Sequence, residues 1–358
     1  MTPHALIRLC TLSTLLAACT PTADTESDID TSSETDTDAD TDADSDSDSD
    51  SDTDTDTDTD TDVEPSPPPR MVYMSLWATG VGRLTFEPES HHYQALGDAK
   101  KTQMALDFIA EQQVTEVAFY NMRAVLTDPG RTASLSAFIK KARGLGVERA
   151  IAIGSNNAAF DRIATYQTNA LRDDPDASFD GMLTEIEFWQ TEGDYDAYID
   201  TLDHMGALNL LNRDGEPLML ATYQGWLHKT PGVAERCGNP DLDDAGCIAE
   251  MVSQRVDRVL LHTYTNTPET APTYGEDRFE HYRNASKPVQ LLPIFAFEDP
   301  EFSAGTEYFS GEWLCKNKDG GLAGAEDVFN ANAAIPAEGF AHYSYFFADM
   351  YLNYVECP

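Results

Sequence analysis

EVAFYNMRAVLTDPGRTASLSAFIKKARGLGVERAIAIG, residues 116–154, reads as strand, helix, strand. Its two ends, EVAFYN (116–121) and ERAIAIG (148–154), are short apolar runs, whereas Leu135, Phe138, Ile139 and Ala142 between them fall at helical spacing. Outward from this unit the alternation continues. MVYMSLW (71–77) precedes it; GMLTEIEFW (181–189), PLMLATYQ (217–224), VDRVLLHTY (256–264), PVQLLPIFAF (288–297) and GFAHYSYFF (339–347) follow. Leu106, Ile109 and Ala110, and then Tyr198, Ile199, Leu202 and Met205, mark two further helices. Eight strand signals in about 290 residues match a (β/α)8 TIM barrel, so the predicted fold class is α/β. A doubly wound open sheet would call for a glycine-rich phosphate turn after an early strand. No GxGxxG or GxxxxGK[ST] occurs, and Ile153-Gly154-Ser155-Asn156 is too short to stand in for one.

The 358 residues carry 63 acidic and 23 basic side chains, a net charge of −40. Residues 20–69 contribute 20 acids and no Lys or Arg, leaving 43 acids and 22 bases in 70–358. A domain so acidic repels a phosphate backbone and anionic headgroups, which argues against nucleic acid as a partner and against docking on lipid. Residues 1–18 read as an export signal: Arg8 precedes an apolar run from Leu9 to Ala18 that is too short to span a bilayer. Leu16-Ala17-Ala18-Cys19 resembles the bacterial lipobox, which implies lipidation of Cys19. Thr20 in place of Asp, by resemblance to Gram-negative lipoproteins, implies an outer-membrane or cell-surface location, with the membrane reached only through the lipid. Residues 19–69 alternate Asp with Ser or Thr and end in Pro65-Ser66-Pro67-Pro68-Pro69, a disordered, self-repelling tether. Its carboxylates lack the Gly turn and bidentate Glu of a calcium loop.

Setting aside Cys10 and Cys19, four cysteines remain in the exported domain: Cys237, Cys247, Cys315 and Cys357. An even count in an oxidising compartment predicts two disulfides, with three pairings open. No CxxC, HxxxH or His/Cys cluster points to a metal, and no cofactor motif occurs.

In a barrel, chemistry belongs at the C-terminal ends of the strands. The predicted fourth strand brings a pair of acids there. Leu183, Glu185 and Glu187 share parity and face one way, Met182, Thr184, Ile186 and Phe188 the other. Two adjacent carboxyls raise the pKa of at least one, which keeps a protonated acid available near neutral pH, as glycoside hydrolysis requires. Trp77, Tyr120, Tyr223 and Trp226 end other strands and offer flat faces on which a pyranose ring can stack.

Phe179-Asp180-Gly181-Met182-Leu183-Thr184-Glu185-Ile186-Glu187 resembles the fourth-strand FDGxDxDxE signature of the family 18 glycoside hydrolases, the chitinases and endo-β-N-acetylglucosaminidases. Phe179, Asp180, Gly181 and Glu187 match it. Val117-Ala118-Phe119-Tyr120, Ala152-Ile153-Gly154-Ser155 and His262-Thr263-Tyr264-Thr265 resemble the family's second, third and sixth strands. The resemblance implies a glycan substrate containing N-acetylglucosamine, Glu187 as general acid, Glu185 orienting the acetamido group, and Asp180 and Tyr264 among the substrate-binding residues. It also implies that the acetamido oxygen, not a protein side chain, attacks the anomeric carbon. Leu183, Glu185 and Thr265 depart from the Asp residues of the pattern. Two alternatives follow: a non-catalytic glycan-binding or scaffold lipoprotein on a decayed barrel, and a retaining glycosidase pairing Glu187 with Glu298 after the seventh strand. The second would set the two carboxyls about 5 Å apart.

Overall fold

Eight parallel strands close into a barrel in chain order, β1 beside β2 and so on around to β8, which returns to β1. The computed structural model describes residues 68–77, 94–190, 194–227, 232–265, 267–296 and 320–343. The chain divides into two units, Met1–Val63 and Glu64–Pro358, and every described residue belongs to the second. Residues 19–67 of the tether, Cys19 among them, and Glu298, Cys315 and Cys357 lie outside the described residues.

The elements are β1 (Arg70–Met74), α1 (Ala99–Glu111), β2 (Glu116–Phe119), α2 (Met122–Leu126), α3 (Pro129–Arg143), β3 (Arg149–Gly154), α4 (Asn157–Asp173) and β4 (Gly181–Thr184). They continue with α5 (Asp194–Ala207), β5 (Met219–Gln224), α6 (Asp244–Ser253), β6 (Arg258–His262), α7 (Ala271–Arg283), β7 (Gln290–Ala296), α8 (Gly321–Asn332) and β8 (Phe340–Tyr343). Each predicted strand is present. Four helices start where an Asp or Asn side chain accepts a hydrogen bond from the first turn: Asp98 for α1, Asp128 for α3 with Pro129 behind it, Asn156 for α4 and Asp243 for α6.

Register decides which side chains enter the barrel, because residues paired across parallel strands share a face. Glu116 pairs with Arg149, Ile151 with Gly181, Ile153 with Leu183, Leu183 with Ala221, Ala221 with Arg258 and His262 with Ile294. That set points inward, and the alternate set packs on the helices. Phe119 meets Phe138 of α3 at 5.9 Å between ring centroids, and Phe295 meets Phe329 of α8 at 5.7 Å.

The inward set is charged at the N-terminal mouth. Glu116 is fully buried and takes Arg149 at 2.6 Å and the guanidinium of Arg258 from the far side of the barrel, while Arg258 Nε donates to Gln290 at 2.8 Å. Two opposed charges with a third donor satisfied are what a buried ion pair needs to hold. This cluster plugs one end. On the helix side of β1 and β8 a second network ties α8 to the barrel: Arg70 grips Glu326 through Nε and Nη2, both at 2.6 Å, and His342 Nε2 lies 2.8 Å from Glu326. Cys237 and Cys247 form a disulfide that joins the loop before α6 to its first turn.

Candidate active site

Among the described residues, the C-terminal ends of the strands gather tyrosines about Glu185, with Glu187 two residues farther along the chain. β4 ends at Thr184, so Glu185 and Glu187 stand on the segment just beyond it, not within the strand. Phe188 and Trp189 explain why the sequence reads as strand to residue 189: both are buried, Phe188 stacked on Tyr198 of α5 at 4.6 Å and Trp189 against Tyr223 at 5.5 Å. Trp189 can lie flat on the end of β5 because Gly225 is there; a Cβ on Gly225 would stand 2.5 Å from the indole.

Glu185 is half-buried and accepts a hydrogen bond from the phenol of Tyr120 at the end of β2. Glu187 is exposed, and Gln190 Nε2 donates to it at 3.3 Å. The protein around Glu187 still displaces enough water to push its carboxyl above the ordinary range, with the Gln190 contact pulling the other way. Burial likewise raises the Tyr120 phenol, and the negative charge of Glu185 adds to it. Tyr120 therefore stays a donor.

Around this pair the inward-facing rings interlock. Tyr73 of β1, Tyr120 and Tyr343 of β8 meet edge-on at 5.4 to 5.8 Å. Tyr264 stacks on Tyr343 at 6.0 Å and on Tyr223 at 6.3 Å, with His262 beneath it at 3.9 Å. Trp226 is partly buried and packs on Tyr274, while the guanidinium of Arg278 lies 4.8 Å from the Trp226 ring. Trp77 is partly buried, and Arg131 lies over its ring at 4.0 Å.

The expected residues thus separate into those the fold gathers and those it does not. Glu185, Glu187, Tyr120, Tyr223, Tyr264, Trp77 and Trp226 all stand at the C-terminal ends of strands. Asp180 does not. It precedes β4 at the opposite end, where its carboxylate accepts from Arg143 Nη2 and from the backbone N–H of Ala150, each at 2.7 Å. This is a structural tie between α3, β3 and β4, at the end of β4 away from Glu185. Leu183, at the middle acidic position of the signature, is wholly buried. Thr265 turns its hydroxyl to the carbonyl of Thr267 at 2.8 Å. Glu298 lies outside the described residues. Sequence reasoning passed over Tyr73, His262 and Tyr343. The parity rule that placed Glu185 and Glu187 on one face would have found them, since His262 stands two residues before Tyr264.

Hollows elsewhere have a different character. A groove of about 330 Å³ between α3 and α4 is lined by Ser136, Arg162, Tyr166 and Asp173. One of about 450 Å³ at the N-terminal mouth includes Arg149, Asp180 and Arg213. Asp180 is already paired with Arg143, and Arg149 with Glu116.

No protein-family profile and no curated protein matches the chain. Among solved structures it is similar to a GH18 chitinase from Pseudoalteromonas aurantia, 11% identical over 76% of this chain and 93% of that one, with a TM-score of 0.41. It is also similar to an endo-β-N-acetylglucosaminidase from Cordyceps militaris, 12% identical over 77% and 81%, TM-score 0.41. A third is a GH18 chitinase from Cycas revoluta, solved with allosamidin, 10% identical over 80% and 98%, TM-score 0.40. At these identities the likeness is one of fold.

Proposed function

We propose that the barrel is a glycoside hydrolase that cleaves a glycan containing N-acetylglucosamine, with Glu187 as its general acid. The observation that carries this reading is the unlike treatment of two acids two residues apart: burial raises the carboxyl of Glu187, whereas Glu185 receives a phenol donor. A carboxyl that burial holds toward its protonated form suits donation to a leaving oxygen, and a carboxylate beside a phenol donor suits the acceptor's part. In the reaction that the fourth-strand signature implies, the acetamido oxygen attacks the anomeric carbon as the glycosidic C–O bond breaks, and the proton of Glu187 goes to the departing oxygen. The resulting Glu187 carboxylate then takes a proton from the water that opens the cyclic intermediate. Glu185 orients the acetamido group, Tyr264 contacts it, and Tyr223, Trp77 and Trp226 face the flanking sugars.

The domain works outside the cytoplasm, on the reading that Cys19 is lipidated and residues 20–69 hold the barrel off the outer membrane or cell surface. The Cys237–Cys247 disulfide suits an oxidising compartment.

The full chain is assayed on chitin oligosaccharides, N-glycans and peptidoglycan fragments beside Glu187→Gln and Glu298→Gln. Loss of about 10²-fold or more in kcat for Glu187→Gln, with Glu298→Gln near wild type, is the expected result. Equal loss in both variants assigns the retaining pair instead. A second reading, a glycan-binding protein without turnover, is favoured by buried Leu183 and by the inward-bonded hydroxyl of Thr265. Binding to one of these glycans with no hydrolysis of any would establish it.

A further inference from the structure

We infer that Tyr120 is a positioning residue, whose phenol holds the Glu185 carboxylate on the β2 side of the cleft, so that Glu185 keeps the charge and Glu187 keeps the proton. The inference deepens the hydrolase reading and rests on it for its catalytic meaning, though the hydrogen bond itself does not. A Glu in place of the Asp of the signature carries one more methylene and so overreaches. A donor two strands away takes up that reach by drawing the carboxylate sideways.

The phenol is fixed at every point needed to do this. The backbone N–H of Tyr120 donates to Met74 in β1 at 2.9 Å. Its ring is wedged edge-on between Tyr73 and Tyr343, at 5.4 and 5.8 Å. The next residue, Asn121, turns the chain with φ 59° and ties its side-chain amide to Ser75 Oγ at 2.8 Å. The bond is charge-assisted only while Glu185 is ionised, so it discriminates between the two acids. Among the described residues, the charge of Glu185 also acts on the Tyr73 phenol, and the Tyr343 phenol acts on Tyr120 from the other side of its ring. Arg258 lies at the plugged end, paired with Glu116.

The test uses the full chain with side-chain-labelled Glu, carboxyl signals assigned from Glu185→Gln and Glu187→Gln spectra. Tyr120→Phe keeps the wedged ring and removes the donor. The expected result is a rise of about one pH unit in the Glu185 titration midpoint, the size of one charge-assisted hydrogen bond. Fluorotyrosine at position 120, a stronger donor of the same shape, moves that midpoint down. A Glu185 midpoint unmoved in both proteins overturns the inference. On chitotetraose, Tyr120→Phe is expected to lower kcat about tenfold or more, hold KM within about threefold, and shift the acid limb of the pH profile upward. A rise in KM alone would make Tyr120 a stacking surface and overturn it too. If the wild type turns over no glycan yet the midpoints move as expected, the hydrolase reading fails and the positioning role stands.

Discussion

Asn121 shows how one backbone angle governs the site. Its left-handed conformation costs a residue with a Cβ about 1 kcal/mol, less for Asn than for most, and its amide recovers some of this by reaching Ser75. Asn121→Gly keeps the angle without strain and loses only the hydrogen bond, so a loss of about 0.5–1 kcal/mol is expected in urea unfolding. Asn121→Ala loses the bond and adds the strain, for about 1–2 kcal/mol. If Ala and Gly cost the same, the angle is not what the site demands of this position. The same reasoning marks what was hidden in the sequence at this scale. Tyr120 was legible as an aromatic at a strand end, but nothing in the string indicates that its hydroxyl meets a carboxylate 65 residues away.

Among the elements, the strands were readable because segments buried on both faces appear as short apolar runs, and the pleat sets Leu183 of β4 and Glu185 just beyond it on one face. The end itself was not readable. Ile186, Phe188 and Trp189 continue the apolar run, yet Phe188 and Trp189 are buried by α5 and Tyr223, not by strand pairing. The plug was equally concealed: Glu116, Arg149 and Arg258 look like solvated strand flanks until closure brings β2 opposite β6. Removing one partner there strands a buried charge. Glu116→Gln is expected to cost about 3–5 kcal/mol in denaturant unfolding, and the paired change Glu116→Met with Arg258→Met to recover most of it. Failure of the pair to recover stability would mean that the cluster is tied to more than its own charges.

For the whole molecule, pH acts on stability through the network that joins α8 to β1 and β8. Burial pushes the His342 imidazole below its usual range, against the pull of Glu326. Burial pushes Glu326 upward, but the hydrogen bonds from Arg70 and His342 outweigh this and leave it below the usual carboxylate range. Both groups have folded pKa values depressed relative to the unfolded chain. Their contributions are complete above the unfolded values, about 6.5 for His and 4.3 for Glu, and are lost as pH falls through the folded ones. Tm is therefore expected to decline in two stages on acidification, starting near pH 6.5 and again near pH 4.3. His342→Gln should flatten the first stage in calorimetry from pH 7.5 to 4.5. An unchanged slope would place the proton uptake elsewhere.

Trp77, Trp189 and Trp226 stand at the ends of β1, β4 and β5, on the same mouth as Glu185 and Glu187, and each is in or against the barrel's aromatic lining. Among the described residues, indole occurs nowhere else. Among the described residues, ultraviolet emission from indole thus comes from the end of the barrel that holds Glu185. These three indoles make the aromatic end of the barrel its own optical reporter, and a ligand placed against them is expected to change the emission without a label.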